Sequence, residues 1–306
     1  MSGGSSVLRR PTAQKSNAEF ILSLRANFTA AQEAVPHKTN GHSSTQPPAS
    51  NVDSQSALIA SWTRREDASI FVPAINIAQS GLAEERSRYE ITMKLFFLPN
   101  KPKSCRCAQT REAVNLVLQE LKVPSIDLLI VSFPGIAFDA DDSDGEGEEH
   151  GAEFSPPEPR LGDDAVAEDV DTMIATWECL EELHDEGVIA TLGVSEFGVD
   201  RLSRFLKRAR VRPSVDQINV RDCCVVPRPL IAYARQERIE LLTHNDCTNI
   251  LSRATLRELL AENGLGAALL GENSEAEPQW VIKYTAVVRD RGVVENKGYF
   301  ALAEGR

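Results

Sequence analysis

The chain has 306 residues, a formal net charge of −12 and 42% hydrophobic residues. This length suits one large α/β domain or two smaller ones, and the hydrophobic content is enough for a full core. The acidic charge argues against a nucleic-acid partner, which would need an excess of lysine and arginine. No apolar run approaches the roughly 20 residues of a membrane helix, and no apolar signal core follows Met1. We therefore expect a cytoplasmic protein with neither a membrane nor a nucleic-acid partner.

The first ninety residues contain few strong elements. Residues 1–17 are Ser-rich, Gly-rich and basic, which predicts a flexible N-terminus, and residues 18–34 predict a strand followed by a helix. The segment 37–56 is rich in Ser, Thr, Asn, Gln and Pro, which is typical of a flexible insertion. A short helix is expected over residues 57–62 and a strand over residues 69–78.

Two strong strands follow, with a helix over residues 111–121 between them. Residues 90–98 (EITMKLFFL) end at the turn residues Pro99 and Asn100, and residues 126–133 (IDLLIVSF) end at Pro134. Both runs are long, apolar and rich in β-branched or aromatic residues. They predict strands buried inside a sheet.

An acidic segment interrupts the pattern between residues 138 and 171. It carries fourteen Asp or Glu residues against the single Arg160, together with several Gly and Pro residues. Such a composition offers little apolar surface to offset the entropy of ordering. We predict a flexible insertion near residues 138–170, with residues 140–167 mobile and dispensable for folding, inside one domain that spans residues 18–306.

The stretch 171–197 (DTMIATWECLEELHDEGVIATLGVSEF) is the unit that recurs in the second half of the chain. Apolar residues at three- and four-residue steps predict a helix that ends at Gly187, and residues 188–192 predict a buried strand followed by a polar loop. A second unit comprises a helix over residues 199–209 and a strand over residues 215–220. A third begins at Pro227 and ends with the strand 239–242. Three βα units favour a barrel or a doubly wound parallel sheet, which periodicity alone does not distinguish.

The C-terminal region predicts more helix than strand. Residues 255–270 predict a helix or a helix-turn-helix, capped by Ser252 or Thr255. The apolar spacing of residues 278–288 predicts another helix, and residues 293–303 a last extended segment.

Few residues carry obvious chemistry. The chain has no glycine-rich phosphate loop after a strand, and its six cysteines lack the spacing of a zinc site or of a disulfide framework. We therefore expect no metal and no cofactor, and reduced thiols in a cytosolic protein. Lys94 lies in the middle of a strand, where its amine either faces solvent or serves a function at the mouth of a barrel.

The order of ITMKL, IDLLIVSFP, WECLEELHDEGVIATLGVSEF and the strand containing DQIN resembles successive barrel segments of the aldo-keto reductases. The resemblance covers residues 90–242 and implies a (β/α)₈ TIM barrel that binds a nicotinamide cofactor at the C-terminal ends of its strands. It also implies a site with a proton-donating Tyr, a Lys and an Asp that lower the pKa of that Tyr, and a His that orients the carbonyl.

Most of that implied site is missing from this chain. Lys94 matches the family's lysine, but Ser132 stands where the histidine is expected, and the segment SIFVPAINIAQSGLAEE contains neither the Asp nor the Tyr. His244 replaces the residue that stacks on the nicotinamide. The phosphate loop is replaced by residues 245–248, in which Asp246 would repel a pyrophosphate. The resemblance therefore implies a barrel without reductase chemistry.

One group of proteins related to the aldo-keto reductases, which lacks the same catalytic and cofactor-binding residues, resembles this chain more closely. The runs SVDQINVRDCCVVPRPLIAYARQERIELLTHND and WVIKYTAVVRDRGVVENKGY are similar to the regulatory subunits of glutamate–cysteine ligase. This resemblance implies a heterodimer with the catalytic subunit, improved use of glutamate and relief of feedback inhibition by glutathione. It does not account for the insertions near residues 37–56 and 138–170.

We therefore predict a non-catalytic regulatory subunit in glutathione biosynthesis. An active NADPH-dependent reductase with a rearranged site is the alternative, and a scaffold for another partner remains open. The loops after the sixth and seventh strands are the expected docking face, although the same residues also suit ordinary turns. The candidate residues are Arg221, Asp222, Cys223, Cys224, His244, Asn245 and Asp246.

Overall fold

The computed structural model describes residues 17–34, 58–67, 69–74, 80–99, 103–136, 138, 168–219, 226–247, 249–262, 264–270 and 275–305. The helices in these ranges are α1 (Ala18–Glu33), α2 (58–62), α3 (Arg106–Leu121), α4 (Val170–Asp185), α5 (Val199–Leu206), α6 (Arg228–Glu237), α7 (Arg253–Glu262) and α8 (Leu265–Leu270). The strands are β1 (Arg64–Glu66), β2 (Ser69–Phe71), β3 (Tyr89–Phe97), β4 (Ile126–Ser132), β5 (Ile189–Ser195), β6 (Val215–Ile218), β7 (Glu240–Thr243), β8 (Ala276–Val288) and β9 (Val293–Gly305).

A seven-stranded sheet in the order β7-β6-β5-β4-β3-β8-β9 forms the centre of the fold. Strands β3 to β7 pair in parallel, whereas β8 pairs antiparallel with both β3 and β9. Helices α3 to α6 connect the successive parallel strands, as in a series of βα units. The predicted α/β fold is confirmed. Among the described residues, no pairing joins the two outer strands β7 and β9.

The helix predicted over residues 278–288 is wrong, because this segment forms β8. Its apolar residues Trp280, Val281 and Tyr284 fit a helical spacing, but the strand is buried along most of its length between β3 and β9. A strand covered on both faces shows no polar alternation, so periodicity cannot distinguish it from a buried helix.

Other elements agree more closely with the sequence. Residues 18–33 form one helix rather than a strand followed by a helix, and only Ser69–Phe71 of the strand expected at 69–78 is extended among the described residues. Residues 293–305 form a strand, and Arg253–Glu262 and Leu265–Leu270 form two helices, in agreement with the extended segment and the helix-turn-helix predicted there. The hydroxyl of Ser252 accepts a hydrogen bond from the Thr255 amide at 3.1 Å, as expected of a helix cap.

The core between the sheet and its helices is built around a row of aromatic rings. Trp177 of α4 meets Phe205 of α5 edge to face, with centroids 5.0 Å apart, and Phe205 meets Phe197 at 5.4 Å. Phe133 continues the row to Phe97 at the end of β3. The Trp177 indole also donates a hydrogen bond to the Val211 carbonyl at 2.8 Å, so its polar atom is satisfied within the core.

At the amino ends of β3 and β4, an exposed to half-buried network joins the sheet to its flanking turns. The Asp127 carboxylate accepts from the Ile91 amide at 2.7 Å, from Arg86 at 2.7 Å and from Arg289 at 2.6 Å. Both arginines also donate to the Tyr89 carbonyl. We call Asp127, Arg86 and Arg289 with these backbone partners the lower network.

A disulfide joins Cys107 of α3 to Cys179 of α4, with Cα atoms 5.5 Å apart. The prediction that the thiols are reduced is therefore wrong for this pair. Seventy-two positions separate the two residues along the chain, so only the packing of α3 on α4 brings them together.

Several predictions concern residues outside the described ranges. They are the flexible N-terminus up to residue 16, the whole insertion at 37–56, residues 139–167 of the acidic insertion, and Arg221, Asp222, Cys223 and Cys224. The single-domain organisation and the dispensability of residues 140–167 stay predictions. None of the described helices has the length and apolar character to cross a membrane.

Candidate functional site

The carboxyl ends of the parallel strands meet at a polar cavity of about 420 Å³. Ligand sites of α/β folds lie at this end of the sheet, because the loops that follow the strands converge there. The lining residues come mainly from α1, from the strands β3, β4, β6, β7, β8 and β9, and from the segment after β7. Its charged and polar members include Glu19, Lys94, Gln217, His244, Asp246, Lys283 and Tyr299.

Lys94 reaches into the cavity from the middle of β3, and only 5% of its side chain is exposed. Its Nζ lies 3.3 Å from Oδ2 of Asp246 and 5.0 Å from the centre of the Phe96 ring. Burial disfavours the charged ammonium and lowers the pKa of Lys94 to about 8, although Asp246 and Glu196 act in the opposite direction. Of the two positions that the sequence left open for the Lys94 amine, the solvent-facing one is therefore wrong.

Asp246 connects two strands across the cavity. Its Oδ2 accepts from Lys94, and its Oδ1 accepts from Lys283 of β8 at 3.1 Å. Burial alone would raise the pKa of Asp246, but the two lysines together with His244 lower it below its ordinary value. The residue expected to repel a phosphate thus holds the segment after β7 against β3 and β8.

His244 is held as a neutral imidazole with a defined tautomer. Its Nδ1 accepts the backbone amide of Asp246 at 3.1 Å, so the proton lies on Nε2, which faces Oε1 of Glu196 and lies 3.4 Å from the Ser195 hydroxyl. Burial lowers the pKa of His244, and the positive charge of Lys94 adds to this effect despite the hydrogen bond to Glu196.

Glu196 is positioned by an unusual backbone conformation at the end of β5. Its φ of 67° lies in the left-handed region, which costs a non-glycine residue roughly 1 kcal/mol. The Glu196 amide donates to the Gln217 carbonyl at 3.0 Å, and Oε2 accepts the Phe138 amide at 2.9 Å. These bonds fix the buried carboxylate beside His244.

The structure brings together only some of the residues singled out from the sequence. Lys94, His244 and Asp246 converge in the cavity, and Asn245 lies exposed at its rim. Ser132 is buried at the end of β4, in register with Phe96, and is not among the lining residues.

Four lining or adjacent residues were missed by the sequence analysis, namely Glu19, Glu196, Lys283 and Tyr299. Glu19 accepts a hydrogen bond from Lys297 at 3.0 Å and lies 3.7 Å from the amine of Lys283. Lys283 and Tyr299 reach the cavity only because β8 and β9 are strands. A polar residue inside an otherwise apolar strand was the one available signal, as it was for Lys94.

The charges of this cavity do not favour proton donation by Tyr299, the tyrosine that lines it. Burial raises the pKa of Tyr299, and the carboxylates of Glu19 and Asp246 raise it further, which is opposite to the change that an acid catalyst needs. Lys94 pairs with Asp246, and Lys283 pairs with both Asp246 and Glu19, so neither lysine offers an uncompensated charge to a phosphate. The chemistry of the donor set therefore fits poorly with a bound dinucleotide.

The family model of the aldo/keto reductase family matches residues 64–249. The chain belongs to this family. The match spans the parallel strands and the cavity-lining residues His244 and Asp246.

Within the family, the chain is similar to two groups of curated proteins. It is 29% identical over 223 residues to the human glutamate–cysteine ligase regulatory subunit, covering 73% of this chain and 69% of that protein. It is also 29% identical to the putative glutamate–cysteine ligase regulatory subunit of Schizosaccharomyces pombe, over 77% of this chain and 78% of that protein. The NADPH-dependent D-xylose reductase of Candida boidinii is 27% identical over 51% of each chain.

Solved structures of reductases align with part of the chain. The aldose reductase of Giardia lamblia is 25% identical, with a TM-score of 0.33 over 49% of this chain and 43% of that one. The aldose reductase of Schistosoma japonicum is 21% identical, with a TM-score of 0.34 over 56% of this chain and 51% of that one.

Proposed function

We propose that this chain is a non-catalytic regulatory subunit of a glutamate–cysteine ligase. The observation that carries the proposal is the ion pair between Lys94 and Asp246. The family's lysine is retained, but its amine is bonded to a carboxylate from the loop that would otherwise hold the cofactor phosphates. The similarity to named regulatory subunits over about three quarters of the chain supports the same function.

In this proposal the chain forms a cytoplasmic heterodimer with the catalytic subunit, improves its use of glutamate and weakens feedback by glutathione. The docking face includes the loops after β6 and β7, and the segment after β7 is where the chain has lost the family's cofactor contacts. Asn245 is the exposed member of the segment after β7, whereas His244 and Asp246 point inward. Asn245 is therefore the residue to change first, because its replacement leaves the buried ion pairs intact.

The decisive experiment follows the glutamate KM of the purified catalytic subunit as this protein is added. We expect a lower KM with the wild-type protein and a higher concentration of Asn245→Ala needed for the same effect. A tenfold difference in that concentration corresponds to about 1.4 kcal/mol of binding free energy.

Asn296→Ala serves as the matched control, because Asn296 lies in β9 beside Ala286, near the opposite end of the sheet. It should act like the wild-type protein. An unchanged KM with wild-type protein would refute the regulatory function, whereas equal potency of Asn245→Ala and Asn296→Ala would refute only the docking face.

The alternative of an active NADPH-dependent reductase rests on one observation, the presence of Lys94 and Tyr299 in one cavity. Fluorescence titration with NADPH tests it directly. We expect no saturable quenching, since low-micromolar binding needs about 7 to 8 kcal/mol of contacts and both cavity lysines are already paired. Saturable binding together with carbonyl reduction that is lost in Tyr299→Phe would establish the reductase.

A further inference from the structure

The contact between α3 and α4 contains a second cluster of reactive side chains, remote in sequence from the cavity residues. The sulfur atoms of Cys107 and Cys179 and a carboxylate oxygen of Glu182 all lie within 4.8 Å of one another. Cys107 and Glu182 are exposed, whereas Cys179 is buried. We propose that, when the disulfide is reduced, these three residues bind a soft divalent cation such as Zn²⁺.

The geometry suits a tetrahedral site. Two thiolates on one zinc ion lie about 3.8 Å apart, because each Zn–S bond is about 2.3 Å long. Reduction of the disulfide allows Cys107 and Cys179 to separate by this amount through side-chain rotation, with Cα atoms that are already 5.5 Å apart. Cys179 and Glu182 are three positions apart on α4, so their side chains share one face of the helix.

The local charges favour metal binding as well. Cys107 lies in the first turn of α3, where the partial positive charge of the helix end stabilises a thiolate. Glu182 bonds Arg111 through Oε2 at 2.8 Å. Arg111 also donates two bonds to Glu186, so it keeps a carboxylate partner when Glu182 turns towards the ion. Two thiolates and one carboxylate fit Zn²⁺ better than Mg²⁺ or Ca²⁺, which prefer oxygen ligands.

The exchange between the two states is balanced chemically. Two molecules of a low-molecular-weight thiol reduce the Cys107–Cys179 bond, giving two protein thiols and one small disulfide. The protein thiols then release two protons as they bind the cation. In reverse, the small disulfide takes two electrons from the two thiolates and leaves as two small thiols after binding two protons, while the protein disulfide re-forms and the cation is released. The helices α3 and α4 are therefore cross-linked in both states.

The test uses the full chain, reduced with a phosphine under anaerobic conditions and titrated with Co²⁺ as a spectroscopic probe. We expect one equivalent of Co²⁺ to give a thiolate-to-cobalt charge-transfer band, which Zn²⁺ then abolishes by displacement. Cys107→Ser and Cys179→Ser should each weaken binding by at least about tenfold, and Glu182→Gln should weaken binding with the thiolate band retained.

Cys105→Ser is the matched control, since Cys105 is an exposed thiol two positions from Cys107 and is not in the disulfide. It should bind Co²⁺ like the wild-type protein. Thermal melting of every reduced variant checks folding, and Glu182→Gln, at an exposed position, tests the site without a change in the core. The proposal is overturned if the Cys107→Ser/Cys179→Ser double variant binds as tightly as wild type, or if Glu182→Gln leaves the affinity unchanged.

Discussion

The two ends of the central sheet both carry ionic networks, but the side chains of these networks differ in their exposure to water. The lower network consists of half-buried arginines around Asp127, with several short hydrogen bonds and open access to water. The cavity end consists of two lysines, a histidine and carboxylates, among which Lys94 and Glu196 are almost completely buried.

This difference in exposure determines where the titratable groups with shifted pKa values lie. Lys94, His244, Asp246 and Tyr299 at the cavity end all have shifted pKa values, with burial the largest influence on each. Desolvation strengthens each pairing there and raises the cost of losing one partner. The lower network stabilises the sheet as ordinary surface electrostatics does, whereas the cavity end depends on complete pairing.

The strongest test of this contrast is Asp246→Asn. It leaves Lys94 buried beside a neutral amide, and we expect the free energy of unfolding to fall by about 3 kcal/mol. Urea denaturation at pH 7 measures this change. The double variant Lys94→Met/Asp246→Asn should recover part of the loss, because no buried charge then lacks a partner. A loss below 1 kcal/mol in the single variant would contradict the buried pairing.

At the lower network, Asp127→Asn should cost less, about 1 to 2 kcal/mol. The amide oxygen can still accept from the Ile91 amide, and the freed Arg86 and Arg289 remain accessible to water. The same urea experiment, run beside Asp246→Asn, gives the comparison. If the two substitutions destabilise the protein equally, burial does not distinguish the two ends.

Substitution of Asp216 should stabilise the protein, in contrast to the two substitutions above. It is fully buried in β6, burial raises its pKa well above the ordinary value, and its Oδ2 has no hydrogen-bond partner among the described residues. The unfolded chain loses this proton at a lower pH than the folded protein, so stability is lost as the pH rises through the raised pKa. Asp216→Asn removes this loss, and we expect a gain of about 1 kcal/mol at pH 7.

The gain should shrink as the pH is lowered towards 4, because an unfolded Asp, with a pKa of about 3.9, then begins to bind the same proton. Thermal unfolding of the two proteins at pH 7 and pH 4 checks the trend. A gain that is independent of pH would mean that Asp216 is ionised in the folded protein.

The smallest expected effect is the titration of His244. Its lowered pKa means that the unfolded chain takes up a proton first as the pH falls, so the contribution of His244 is complete above about pH 6.5 and is lost below it. Unfolding curves at pH 7.5 and 5.5 should show a smaller loss for His244→Gln than for wild type. Asn245→Ala, which changes an exposed neighbour and leaves the His244 ring in place, should keep the wild-type difference.

Sequence reasoning reached the parallel strands because most of them are largely apolar runs and β6 alternates between apolar and polar residues. It identified Lys94 because a lysine is exceptional in an apolar strand. It failed at β8, whose two covered faces remove the alternation that marks a strand. Because β8 was predicted as a helix, Lys283 was not recognised as a residue of the cavity. The convergence of Glu196 with His244 and the pairing of Cys107 with Cys179 depend on tertiary packing, which no spacing along the chain records.

The pairing of β3 with β8 has a consequence for how the protein is made. The Tyr89 carbonyl and its partner Arg289 are 200 residues apart, so a ribosome adding 5 to 20 residues per second needs roughly 10 to 40 seconds between them. Throughout that interval one edge of β3 has emerged without its final neighbour. The nascent chain therefore carries an unfinished, aggregation-prone edge until late in translation, and its last folding step is a long-range closure rather than a local one.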